Sequence, residues 1–169
     1  MSPIKIPAPY APFLFYQIWE IPIVTATLLY GFDIGIVISV INTLVLLVAF
    51  PGALPTGPIY NFIAILSMII GIYLTVKFFV ARFDGQQETI TTIVSTTMGI
   101  LMRVVAMTIV NWVFLPFPPP VGFSMPKEAI TPLIPLIAFF NATFALYTIP
   151  AGYFLARAVR TRVNFSYEE

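Results

Sequence analysis

Five carboxamide or charged side chains stand inside otherwise apolar stretches of this sequence: Asn42, Asn61, Arg103, Asn111 and Asn141. An unpaired polar group in hydrocarbon costs free energy, so each of them needs a partner. A carboxamide offers both donors and an acceptor. It can therefore pair with the imide or amide edge of a heterocycle. Asn111 lies five residues before Pro116, and Asn141 lies nine after Pro132. At about 1.5 Å of rise per residue the two reach similar depth. Asn61, near the start of its own apolar run, falls in the same half, so three carboxamides can converge below one set of loops. Trp19, Trp112, Phe139, Phe140 and Tyr10 can supply apolar faces for stacking. Each of these residues also has a plainer role open to it. An Asn can be interhelical glue, and Trp19 and Trp112 can be anchors of an aromatic belt. Arg103, the sole mid-span charge, can mark a functional pathway, snorkel, or cap a carbonyl. Read as unpaired, it makes no proton relay.

Other chemistry is thin. The chain has no His and no Cys, which removes the usual triad base, zinc and haem ligands, thiol nucleophile and disulfides. The seven acids are Glu20, Asp33, Asp84, Glu88, Glu128, Glu168 and Glu169. Only Glu20 and Asp33 flank apolar runs closely enough to be buried, and no pair of carboxylates has metal-ligand spacing. There is no Walker Gly-Lys-Ser/Thr motif. The inventory points to transport, binding or scaffolding rather than to an enzyme, and calls for no cofactor.

The elements that must position these residues are membrane helices. Of 169 residues, 59% are hydrophobic and 9% charged, and mean hydropathy is +0.97. A soluble domain is about 25% charged, so this chain lacks the polar surface to clothe a globule in water. A net charge of +1 gives no basic face for nucleic acid. A helix needs about 20 apolar residues to cross the hydrocarbon. The 43 residues between Asp33 and Lys77 are uncharged, enough for spans at about 34–50 and 59–80, broken by the prolines and glycines of Pro51–Pro58. A third span, about 89–115, ends at Pro116-Phe117-Pro118-Pro119-Pro120. The 28 charge-free residues from Ala129 to Ala156 carry the last, about 130–158. The apolar segment 18–31, with Pro22 near its start and Gly31 at its close, predicts a short, tilted or partly re-entrant helix. The expectation is an all-α integral membrane bundle of about five helices over 18–160. Before it lies an extended, proline-bearing segment over 1–17, and after it a polar tail over 161–169. The hydroxyls of Thr89–Thr97 predict a packing face, and Gly31 with Gly35 a GxxxG site of close helix approach.

Basic residues orient the bundle. Lys77 and Arg82 share a loop, and Arg157, Arg160 and Arg162 lie on the C-terminal tail. An even number of spans separates the two regions, so five of the eight basic residues collect at one end. The positive-inside rule places that end, with the C-terminus, in the cytoplasm of a multi-pass protein of the plasma membrane. The Pro51–Pro58 and Pro116–Pro126 loops and the N-terminus then face outward.

Trp19-Glu20-Ile21-Pro22 followed by Leu28-Leu29-Tyr30-Gly31 resembles the second helix of the substrate-binding (S) components of energy-coupling factor vitamin transporters, the riboflavin type above all. In the same order, Pro55-Thr56-Gly57 with Asn61-Phe62-Ile63-Ala64 resembles the family's Pro-x-Gly…Asn-Phe-x-Ala helix start. Met107 with Asn111-Trp112 and Leu115-Pro116 resembles its Met-x-x-x-Asn-aromatic…Pro pattern, and Leu133-Ile134-Pro135 with Asn141 its final helix. The resemblance covers most of 18–160. It implies a vitamin pocket near the outer surface, with Asn111 and Asn141 on the flavin ring system, capped by the loop Tyr10–Glu20. The substrate-contacting set it implies, together with the depth reading, is Asn111, Asn141, Asn61, Trp112, Phe140, Trp19 and Glu20. It implies as partners a riboflavin-like vitamin, a transmembrane coupling subunit and two ATPase subunits. Two departures stand out. The riboflavin type carries a Lys three residues after the last-helix Asn, where this sequence has Phe144. The family also has six helices, and its first, with an Ala-x-x-x-Ala docking motif, has no counterpart here. Two other classes stay open. In a non-transporting membrane scaffold of similar fold, the asparagines would be glue. A small solute channel fits poorly, since no charged ring or repeated pore motif is present.

Overall fold

The computed structural model of the chain describes residues 6–49, 55–79 and 88–162. The Pro51–Leu54 part of the first turn, the loop carrying Arg82, and the tail beyond 162 lie outside the described residues. The chain opens with a hairpin of β1 (Ile6–Ala8) and β2 (Ala11–Tyr16), paired antiparallel with an irregularity between Pro7 and Ala8. Helices α1 (Glu20–Tyr30), α2 (Phe32–Ala49), α3 (Thr56–Phe79) and α4 (Glu88–Phe114) follow, then a single turn α5 (Lys127–Ile130), and α6 (Leu133–Arg162).

Four of these, α2, α3, α4 and α6, are long and apolar enough to cross a membrane, with mean hydropathies of 1.6 to 2.3. They fit a multi-pass helical membrane protein. The segment 18–31, expected as a short helix, holds α1, which is only half of a span. Eleven residues of α1 extend about 16 Å, against the ~20 residues a crossing takes. Gly31, at φ 96, closes α1, and α2 starts at once. Within the N-terminal segment, residues 6–16 pair into a hairpin, so the fold is not purely helical. Hairpin and α1 follow each other along α6. The Tyr16 ring lies 4.9 Å from that of Phe140, whereas at the far end Arg160 donates to the Leu28 carbonyl.

The helices meet where small residues permit it. A Cβ on Gly71 of α3 would stand 2.8 Å from the Met98 carbonyl oxygen of α4, so the two backbones touch at Gly71 and Gly99. A Cβ on Gly35 would meet Thr27 Oγ1; the GxxxG pair thus packs α2 on α1 within the chain. A Cβ on Gly152 would meet Val24, which seats α1 on α6. The core between them is Val24, Met68, Ile72, Ala145 and Ile149. On α4, Ser95 is fully buried and receives a hydrogen bond from Tyr153 of α6 at 2.8 Å, so that hydroxyl faces a packing partner.

Candidate functional site

A cavity of about 570 Å³ opens at the end of the bundle where α3 begins, α4 ends and α6 begins. Its walls come from α2, α3, α4, α6, the hairpin and the loop after α4. Asn61 and Ala64 stand on α3, Met107 and Asn111 on α4, Ile137, Phe140, Asn141 and Phe144 on α6, and Leu46 on α2. The hairpin and the residue after it supply Phe13, Leu14, Phe15 and Gln17. Phe123 and Met125 complete the rim from the loop after α4. That loop is tied down across α3: Thr56 Oγ1 donates to the Pro120 carbonyl at 2.8 Å, and Tyr60 to that of Val121 at 3.1 Å. The hairpin is tied to α6. Tyr16 shares a hydrogen bond with Thr143 at 2.7 Å and another with Tyr10, and Tyr147 donates to the Gln17 carbonyl at 2.6 Å. Burial pushes the Tyr16 phenol up from its ordinary range, with the Thr143 hydroxyl pulling the other way.

Asn61, Asn111, Asn141 and Phe140 thus share one cavity wall. Trp112, Trp19 and Glu20 do not line it. Successive helix residues point about 100° apart, so an inward Asn111 turns Trp112 outward, where it is 44% exposed, as a belt residue would be. The three carboxamides are not equally free. Asn141 donates to the Ile137 carbonyl at 2.9 Å, and its oxygen accepts from Arg103 Nε at 3.0 Å. Asn111 donates to the Met107 carbonyl at 2.7 Å. Asn61 Nδ2 and Gln17 Oε1 are buried with no hydrogen-bond partner among the described residues.

The reading of Arg103 as an unpaired charge is overturned. Its guanidinium forms a two-pronged pair with Glu20, 83 positions away, with the Nη2–Oε1 arm at 3.2 Å. Arg103 is 1% exposed and Glu20 fully buried. Nη1 also contacts Met68 Sδ at 3.7 Å, and the guanidinium lies 4.4 Å over the Phe144 ring. Four of the five guanidinium N–H donors are therefore engaged by Glu20, Asn141 and Met68. Two sequence signals could have joined this pair but were not combined. Arg103 was the single mid-span cation, and Glu20 one of two acids near an apolar run; a buried charge of one sign calls for the other. Gln17 was missed because a lone Gln outside any motif carries no signal until the hairpin folds over the cavity. Among the described residues no cluster of acids could hold a metal ion.

No family model, curated protein or solved structure matches the chain.

Proposed function

We propose that this chain is a substrate-capture subunit of an ATP-driven vitamin importer of the energy-coupling factor type, binding riboflavin or a related heterocycle from outside the cell. The observation that carries the reading is the cavity beneath the hairpin, with three carboxamides set in an apolar and aromatic wall. Ligand sites of about 300–1,000 Å³ with a few placed polar groups are the common pattern, and 570 Å³ falls within it. Asn61 Nδ2 and Gln17 Oε1 lack partners among the described residues; with small side-chain rotations they offer a donor and an acceptor to such a heterocycle. A transmembrane coupling subunit and two ATPases would supply the work. The chain itself would perform no chemistry.

A specific observation favours a second reading. Asn111 and Asn141 each bond a carbonyl one turn back, and Asn141 also holds Arg103, as they would in a scaffold of similar fold that transports nothing. An absorption spectrum and mass spectrum of detergent-purified protein, expressed with riboflavin in the medium, separates the two. Stoichiometric flavin supports the importer and its substrate. Another heterocycle keeps the importer and discards riboflavin. A protein free of small molecules favours the scaffold. Replacing Asn61 and Asn111 together by Leu should abolish retention of the ligand, and these positions are the better test because Asn141 also supports the ion pair.

A further inference from the structure

We propose that Glu20 sets the charge class of the ligand: by neutralising Arg103 from behind, it makes the cavity select uncharged molecules. This rests on the reading of the cavity as a ligand site. Arg103 is the one charged residue among the described residues that line the cavity, whereas Glu20 does not line it. A ligand in the cavity is therefore nearer to Arg103 than to Glu20. Alone, that group would draw any anion strongly, because charges interact far more in a low-dielectric interior than in water. The carboxylate behind it cancels this attraction. The two-pronged contact fixes the pair, and Asn141 and Met68 take two further donors, so four of the five are engaged.

An anionic ligand would then lose its hydration with little return. A cationic ligand would fare no better, since the carboxylate is screened by the guanidinium and has no surface in the cavity. An uncharged ligand, bonding to carboxamides and packing on Phe140 and Phe144, avoids both costs. Phe144 fits this arrangement. It adds an apolar wall, and the Arg103 guanidinium stacked 4.4 Å over its ring has its charge already matched. Selectivity here works by withholding a partner from the wrong ligand rather than by adding one for the right ligand. Glu20, placed by the sequence among substrate contacts, becomes a specificity residue acting through Arg103.

The test uses two probes of one shape, naphthalene-2-carboxamide and naphthalene-2-carboxylate, titrated calorimetrically into the detergent-purified full chain. The wild-type protein should bind the carboxamide about tenfold or more tightly than the carboxylate. Glu20→Gln keeps the side chain's shape and removes its charge, and should reverse that order. Glu20→Asp keeps the charge and should retain the carboxamide preference, which serves as the readout if Glu20→Gln fails to fold. A wild-type protein that binds the carboxylate as well as or better than the carboxamide overturns the proposal while leaving the cavity a ligand site. So does a folded Glu20→Gln protein with an unchanged preference, or a Glu20→Asp protein that loses it. If neither probe binds the wild-type chain, the ligand-site reading falls, and the proposal with it.

Discussion

Glu20 and Arg103 are each fully or nearly fully buried, and removing one leaves the other as an isolated charge away from water. Such a loss costs about 3–5 kcal/mol, whereas replacing both partners by apolar groups is often close to neutral. Glu20→Leu and Arg103→Met alone should therefore each lower the unfolding temperature sharply in detergent, and the double variant should recover much of the loss. If the two single effects simply add in the double variant, the pair is not a coupled unit. The partnership was half legible: each charge was conspicuous in its apolar setting, but nothing local joins positions 83 apart. The convergence of Asn61, Asn111 and Asn141 was more legible, because depth along a helix can be counted from the prolines that end it. Counting could not say which amides were free. That depends on rotamers, and Asn111 and Asn141 turn back to carbonyls of their own helices.

Where two helices touch through backbone, the cost of a methyl group depends on what it strikes. A Cβ at Gly71 would stand 2.8 Å from the Met98 carbonyl, and neither backbone can yield without parting α3 from α4. Gly71→Ala should cost about 1–3 kcal/mol, as overpacking does. At Gly35 the obstacle is the Thr27 side chain, which can rotate at the expense of its bond to the Ile23 carbonyl, so Gly35→Ala should cost less. Thermal melts that rank the two the other way would show that α1 and α2 are held more rigidly than α3 and α4. The hairpin has its own test. Tyr16→Phe removes the bonds to Tyr10 and Thr143 but keeps the ring against Phe140. A neutral hydrogen bond contributes about 0.5–1.5 kcal/mol, so amides 6–16 should exchange with deuterium several-fold faster, and those of α3 should be unaffected. The long helices were readable to within a few residues because charge gaps and proline clusters bracket them. The hairpin was not, since Pro7, Pro9 and Pro12 announce extended backbone without saying what it pairs with, and its anchors lie on α6, more than a hundred positions away.

At the scale of the whole molecule, charge and cavity divide the two ends of the bundle. Arg157, Arg160 and Arg162 close α6, and Lys77 lies in the last turn of α3. The cavity, the hairpin and the loop after α4 gather at the other end. The expectation of five spans also put the N-terminus at the cavity end. Among the described residues, the hairpin from Ile6 onward lies at that end: α1 covers only part of the depth, and the hairpin continues the path along α6. On the positive-inside rule the arginine end would be cytoplasmic and the cavity would open outward, the orientation that the proposed capture from outside demands. The chain has no cysteine, which makes this directly measurable with single introduced thiols. Val121, in the loop over α3, and Thr161, in the last turn of α6, are both exposed. On intact cells a membrane-impermeant maleimide should label Val121→Cys, and it should reach Thr161→Cys only after lysis. The reverse pattern would turn the cavity toward the cytoplasm. Uptake from outside could not then begin at this site, whatever the cavity binds.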